Sequence, residues 1–137
     1  MPISAFYKFD SFVEAQAEQV HNLGSDELKV ALSDVAPVAG NTQLSNITEI
    51  SYTNISSRVV VRASSAQAGG IYKLICDDLT LTASGDVGPF RYVVLYNNTA
   101  TNKELIGYWI YPSELTMHTG ELLLLNFDQV NGIIQEQ

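Results

Sequence analysis

The sequence predicts a mainly β fold, an antiparallel β-sandwich with one N-terminal α-helix, in a single domain over residues 1–137. The length of 137 residues falls within the roughly 100 to 200 residues of one domain. A hydrophobic content of 46% with 16% charged residues provides enough apolar side chains to bury a core. From residue 59 onward, short apolar runs alternate with turn residues at intervals of roughly 8 to 12 residues, which is typical of antiparallel sandwiches and barrels.

The chain opens with an apolar N-terminal arm, residues 1–9, which carries Ile3, Phe6, Tyr7 and Phe9. Leaving one large apolar side chain in water forfeits roughly 1.5 to 3 kcal/mol of burial free energy. We therefore expect the arm to dock, either on its own sandwich or on a neighbouring molecule.

A helix is predicted over residues 11–22, where apolar residues recur at three- or four-residue spacing. The residues of this apolar stripe are Phe9, Val13, Ala17 and Val20. Ser11 followed by Glu14 fits a capping box, and Gly24 suits a left-handed helix stop. The spacing places Val13 against the core, so that Val13→Asp is expected to destabilise the domain.

Nine strands are predicted after the helix, joined by turns rich in Gly, Asn, Asp and Pro. They span residues 28–32, 59–63, 71–75, 79–82, 90–96, 105–111, 115–117, 122–127 and 133–134. Residues 34–42 are predicted as a loop, residues 44–50 fit either a helical turn or a strand, and the small, polar residues 64–70 are predicted as a turn or mobile loop. The connections are too short for the crossover helices of a parallel sheet, so we expect antiparallel pairing.

Two of the predicted strands, 90–96 and 105–111, are apolar on both faces, whereas an antiparallel strand normally has one polar face. They carry the large rings of Tyr92, Tyr108, Trp109 and Tyr111. One interpretation is a central strand covered by the helix or a loop of the same chain. The other is burial against a second subunit, because Tyr and Trp are enriched in the cores of protein interfaces.

The charge of the chain disfavours two classes of partner. Fifteen Asp and Glu residues against seven Lys and Arg give a net charge of −8, which is repelled by nucleic-acid phosphates and by anionic membrane surfaces. The middle of the chain, residues 58–113, is near neutral and contains Arg58 and Arg62. No apolar run approaches the length of a membrane span, and the N-terminus lacks the pattern of a signal peptide, so we expect a soluble protein.

Few residues are candidates for chemistry. His21 is predicted in the last helical turn, where a partly cationic imidazole suits the helix dipole, and His118 beside an exposed turn. Cys76 is predicted to be buried and inert, with the neighbouring Asp77 raising the pKa of its thiol. No histidines or cysteines stand at metal-ligand spacing, and no phosphate-binding loop is present. We therefore expect no enzymatic activity, no metal, no cofactor and no small-molecule substrate.

Several segments, in order along nearly the whole chain, resemble a family of small virion proteins of tailed phages. The segments are Phe12-Val13-Glu14, His21-Asn22-Leu23-Gly24-Ser25-Asp26, Leu28-Lys29-Val30-Ala31-Leu32, Ala36-Pro37-Val38, Gly70-Ile71-Tyr72-Lys73-Leu74, Leu79-Thr80-Leu81-Thr82-Ala83-Ser84-Gly85, Gly88-Pro89-Phe90-Arg91-Tyr92-Val93-Val94-Leu95-Tyr96-Asn97, Leu105-Ile106-Gly107-Tyr108-Trp109, and Asn126-Phe127-Asp128 followed by Asn131-Gly132. The family looks like the capsid decoration, or cement, proteins. The resemblance implies a β-sandwich of jelly-roll type that is made in the host bacterial cytoplasm and located on the outer surface of the capsid. Its implied partners are the major capsid protein and further copies of itself, as a homodimer or homotrimer.

Candidate contact residues follow from the apolar arm, the basic middle segment and the strands that lack a polar face. They are Ile3, Phe6, Tyr7, Phe9, Arg58, Arg62, Tyr92, Tyr108, Trp109 and Tyr111. Two alternatives to the capsid surface remain. One is a tail or neck structural protein of the same virion, and the other is a glycan-binding sandwich that stacks sugars on Trp109 or Tyr111.

Overall fold

The computed structural model describes residues 5–136 and is mainly β with antiparallel sheets, as the sequence predicts. The described residues contain one α-helix, α1 (Asp10–Ala17), and a short 3-10 helix at Leu44–Asn46. The strands are β1 (Tyr7–Lys8), β2 (Leu28–Ser33), β3 (Val59–Val60), β4 (Arg62–Ala68), β5 (Ile71–Cys76), β6 (Leu79–Thr82), β7 (Val87–Asn97), β8 (Leu105–Met117), β9 (Leu122–Leu125) and β10 (Ile134–Glu136).

The strands form three antiparallel sheets. A five-stranded sheet has the order β1-β8-β7-β2-β3, a three-stranded sheet has the order β10-β5-β4, and β6 pairs with β9. On one face of the five-stranded sheet, the main core joins Val30 and Val93 to Leu74 and Leu81 of the two smaller sheets. This layered arrangement is consistent with a β-sandwich.

The opposite face of the five-stranded sheet carries a second, smaller core. Phe9 and Ile47 pack there with Val94 and Leu105, all of which are less than a tenth exposed. Segments of the same chain therefore cover part of both faces of β7 and β8. This explains why neither strand shows the polar face expected of a half-exposed antiparallel strand.

The predicted helix, residues 11–22, begins within one residue of the observed start, but its predicted end and its apolar stripe are wrong. Phe9 is the N-cap in extended backbone and makes no side-chain cap, and the helix ends at Ala17. Phe12 is fully buried, whereas Val13 is 66% exposed. The helical spacing predicts the wrong buried face because it counts Phe9, which precedes the helix and packs into the second core. Phe12, which lies off the predicted stripe, packs into the main core instead.

The segment predicted as a turn or mobile loop, residues 64–70, is mostly strand. β4 pairs with β5 from Arg62 to Ala68, and Gly69 and Gly70 close the hairpin with φ of 61° and 82°. Positive φ at both turn residues is the geometry that matches the twist of a two-residue hairpin, and glycine adopts it without steric cost. Serine and alanine have a low strand propensity. The strand conformation of this segment therefore comes from its pairing with the β-branched and aromatic residues of β5.

Candidate interaction surface

The described part of the N-terminal arm, residues 5–9, docks on the sheet of its own chain; Ile3 lies outside the described residues. Tyr7 pairs with Tyr108 across β1 and β8, and the backbone N–H of Phe9 continues the pairing with a 3.1 Å hydrogen bond to β8. Phe9 is 1% exposed. Of the two docking modes expected for the arm, these residues take the intramolecular one.

Three of the predicted contact residues lie in the core and present no surface to a partner. Phe9 belongs to the second core, and Trp109 and Tyr111 belong to the main core with exposed fractions of 7% and 3%. The ring of Trp109 lies between the half-buried Phe6 at 4.7 Å and Phe127 at 5.4 Å. Burial raises the pKa of Tyr111 to about 12.

This burial removes the glycan-binding alternative in the form in which it was stated. That alternative needs Trp109 or Tyr111 as an exposed stacking platform, and both rings are covered by residues of their own chain. The sequence pattern does not indicate which face of β8 points inward, because the residues on both sides of this strand are large and apolar.

Three of the remaining aromatic candidates, Tyr7, Tyr92 and Tyr108, share the outer face of the five-stranded sheet, whereas Phe6 packs against the main core. Tyr92 is opposite Ile110 in the β7–β8 register, and Tyr108 is two residues from Ile110 on the same face. The ring of Tyr7 lies 5.5 Å from that of Tyr108, and Tyr7 is 46% exposed. Tyr92, Tyr108 and Ile110 are half-buried. We call Tyr7, Tyr92, Tyr108 and Ile110 the outer-face stripe.

Charged groups lie at one end of the outer-face stripe. The guanidinium of Arg91 is 5.9 Å from the ring of Tyr92, and its Nε donates a 2.8 Å hydrogen bond to the carbonyl oxygen of Tyr111. Asp34 follows the end of β2, and its carboxylate raises the pKa of the exposed Glu114 through a hydrogen bond and through charge repulsion. The aromatic outer-face stripe is therefore flanked at this end by an acidic pair and one arginine.

Arg58 and Arg62 direct their guanidinium groups to their own chain rather than forming a free basic patch. Arg58 stacks 3.5 Å from the centre of the Tyr52 ring, and its Nη1 donates a 2.8 Å hydrogen bond to the carbonyl oxygen of Val30. Arg62 donates to the carbonyl oxygen of Asp26 at 3.3 Å. Both side chains are half-buried and make structural contacts within their own chain.

A buried polar cluster, which sequence reasoning missed, joins the segment after α1 to the end of β7. Asn97 Nδ2 lies 3.0 Å from His21 Nδ1 and donates a 2.7 Å hydrogen bond to Asp26 Oδ2. Asn97 Oδ1 accepts hydrogen bonds from the backbone N–H groups of Thr99 and Ala100 at 3.0 and 3.1 Å. Because both ends of the Asn97 amide are engaged, His21 Nδ1 must be the acceptor.

The position predicted for His21 in a helical turn is therefore wrong, since the helix ends at Ala17 and the imidazole is buried. Burial lowers the pKa of His21, and the negative charges of Glu104 and Asp26 oppose this shift. Because Nδ1 accepts from Asn97, the neutral imidazole carries its proton on Nε2. No local signal marks this cluster, because His21 and Asn97 are 76 residues apart.

The other two candidates for chemistry lie where the sequence predicts them. Cys76 is fully buried, and burial together with Asp77 raises the pKa of its thiol to about 11. His118 is exposed, with Nδ1 2.9 Å from Asp86 Oδ1. Among residues 5–136, no group of three or more His, Cys, Asp or Glu side chains is placed to hold a metal ion. In that same part of the chain, no helix is long and apolar enough to cross a membrane.

No family model matches the sequence, and comparisons with curated proteins and with solved structures find no significant match.

Proposed function

We propose that this chain is a structural virion protein of a tailed phage, of the capsid decoration or cement type, folded as a jelly-roll β-sandwich. In this proposal it binds the outer surface of the capsid, contacts the major capsid protein, and associates with itself as a homodimer or homotrimer. The ordered sequence resemblance along nearly the whole chain supports the virion assignment. The antiparallel, mainly β structure is compatible with it.

The observation that carries the binding role is the outer-face stripe. Its tyrosines offer a large contact area with few rotatable bonds, and such rings are enriched in interface cores. Tyr108 is held between Tyr7 at 5.5 Å and the buried Phe9 at 5.1 Å, so this part of the stripe is ordered before a partner arrives. Preorganised side chains lose less conformational entropy on binding.

Capsid binding by the outer-face stripe is tested with the double variant Tyr7→Ser, Tyr92→Ser. We expect its affinity for capsids that lack the protein to fall by at least about tenfold, as is typical when aromatic anchors are truncated. Cosedimentation with purified capsids measures the bound fraction. Val130→Ser is the matched control, because Val130 is an exposed apolar residue, at 73%, outside the stripe. Equal binding of the double variant and the control would contradict the proposal.

The location in the virion is tested by counting copies per particle in purified virions. A shell protein repeats with the capsid symmetry and is expected in numbers on the order of hundreds. A count limited to a ring of a few to dozens of copies would assign the chain to the tail or neck instead.

A further inference from the structure

The two-stranded sheet of β6 and β9 presents an apolar outer face. Leu122 and Leu124 are 67% and 54% exposed, whereas Leu125 between the layers is 2% exposed. Opposite them in register are Thr82 and Thr80, which are also exposed. A two-stranded sheet with so much apolar surface gains stability when it is extended by further strands.

The backbone at Leu122 and Leu124 is unpaired as well. Thr82, which lies opposite Leu122, exchanges hydrogen bonds of 2.8 and 3.0 Å with Ser56 on the far side of β6. Since hydrogen-bonding direction alternates along an antiparallel pair, the N–H and C=O groups of Leu122 and Leu124 point away from β6. No other part of residues 5–136 bonds to these groups. β9 is therefore a free edge strand with exposed leucines, the type of edge that recruits another strand.

We infer that this edge pairs with the same edge of a second copy, giving a two-fold symmetric dimer with β9 antiparallel to its counterpart. The inference rests on the self-association in the proposed function and selects the dimer over the trimer. In the register centred on Leu123, Leu122 lies opposite Leu124 of the partner subunit, and each outward N–H and C=O group meets its complement. A single surface that is complementary to itself is what a two-fold interface requires.

The charge distribution permits a second copy in this register. The chain carries −8, so copies repel one another over most of their surface, but β9 consists of four leucines without charge. Centring on Leu123 also places Glu121 opposite Leu125 of the partner subunit, so that no two carboxylates face each other directly. The joined ribbons form a continuous four-stranded sheet in the order β6-β9-β9-β6, with the leucines at its centre.

The test is sedimentation velocity of the full chain over a wide concentration range. Because the shared edge is short, we expect a reversible monomer–dimer equilibrium rather than a permanent dimer. Leu122→Lys and Leu124→Lys should each weaken the dimer by at least tenfold, since lysine on an edge strand opposes pairing. Val130→Lys is the matched control and should leave the equilibrium unchanged. Thermal unfolding confirms that each variant is folded.

Hydrogen exchange gives a second readout that does not depend on a variant. The amides of Leu122 and Leu124 should gain protection as the concentration rises, while the exposed amides of β4 should not. A chain that stays monomeric, forms trimers, or dimerises equally well with lysine at both positions would overturn the inference. Capsid cosedimentation distinguishes failure of the dimer from failure of the proposed function. Normal capsid binding by a monomeric chain would overturn only the β9 dimer. Loss of capsid binding with an intact dimer would contradict only the capsid role.

Discussion

The ring of Phe6 occupies the space that a side chain at Gly107 would fill. A Cβ at Gly107 would overlap this ring and lie 2.6 Å from the carbonyl oxygen of Tyr7. Gly107 pairs with Lys8 in the β1–β8 register, so the absence of a side chain there allows the arm to lie flat on β8. The docking of the arm thus depends on one glycine.

Gly107→Ala is expected to lower the free energy of unfolding by about 1 to 3 kcal/mol, the usual range for overfilling a packed site. Denaturant unfolding measures the change. Gly40→Ala is the control, because nothing lies within 4 Å of a Cβ at Gly40. If both variants unfold at the same denaturant concentration, the arm does not depend on the space above Gly107.

The exposed position of Val13 reverses the expectation drawn from the helical spacing. Val13→Asp should change the free energy of unfolding by no more than about 0.5 kcal/mol, as is usual for exposed sites. Phe12→Ala should cost about 3 to 5 kcal/mol, because Phe12 is fully buried in the main core. Thermal and denaturant unfolding of the two variants give the comparison, and a larger loss for Val13→Asp would contradict the orientation of α1.

Local patterns predicted much of the fold. The prediction for residues 79–82 matches β6, and 28–32 differs from β2 by one residue, since both segments are short runs of strand formers bounded by turn residues. β4 was missed because its pairing with β5, rather than its own serines and alanines, makes it a strand. Two tyrosines of the outer-face stripe, Tyr92 and Tyr108, were predicted as contact residues from the apolar pattern of β7 and β8, and Tyr7 from the apolar arm. Which rings of β8 face inward depends on the packing of the sheets, which no local pattern records.

His21 should make stability depend on pH. Its folded-state pKa is lowered by burial, so below its ordinary pKa of 6.5 the unfolded chain binds a proton that the folded chain does not. The stabilising contribution is therefore complete above pH 6.5 and falls as the pH drops towards the lowered pKa, by at most about 1.4 kcal/mol per pH unit. Denaturant unfolding at several pH values, compared between the native chain and His21→Gln, isolates this contribution from that of the carboxylates.

The contribution of His118 to stability changes with pH in the opposite direction, so His118 serves as the comparison. The hydrogen bond and charge of Asp86 raise the pKa of His118 in the folded chain. Its contribution is therefore present below its ordinary pKa and is lost as the pH rises through the raised one. The difference between the native chain and His118→Gln should shrink with increasing pH, whereas the His21→Gln difference should grow. Matching trends in the two variants would contradict the buried, neutral state of His21.

Tyr52 completes the edge of β2 where β3 stops. β3 pairs with β2 only at Leu28 and Lys29, and beyond this point the Tyr52 hydroxyl accepts a 3.0 Å hydrogen bond from the backbone N–H of Leu32. The same hydroxyl donates to Glu49 Oε1 at 2.7 Å, and both burial and this carboxylate raise the pKa of Tyr52. The Tyr52 hydroxyl thus satisfies the N–H of Leu32, while the N–H of Ile50 donates to the carbonyl oxygen of Leu32 at 3.0 Å.

Tyr52→Phe removes this acceptor and leaves the N–H of the fully buried Leu32 without a hydrogen bond. We expect a loss of about 1 to 3 kcal/mol in the free energy of unfolding, the usual cost of a buried unsatisfied donor. Faster hydrogen exchange at the Leu32 amide should accompany it. Tyr7→Phe is the matched control, since Tyr7 is 46% exposed and should unfold like the native chain. Unchanged stability and unchanged exchange at Leu32 in Tyr52→Phe would show that another group satisfies this edge of β2.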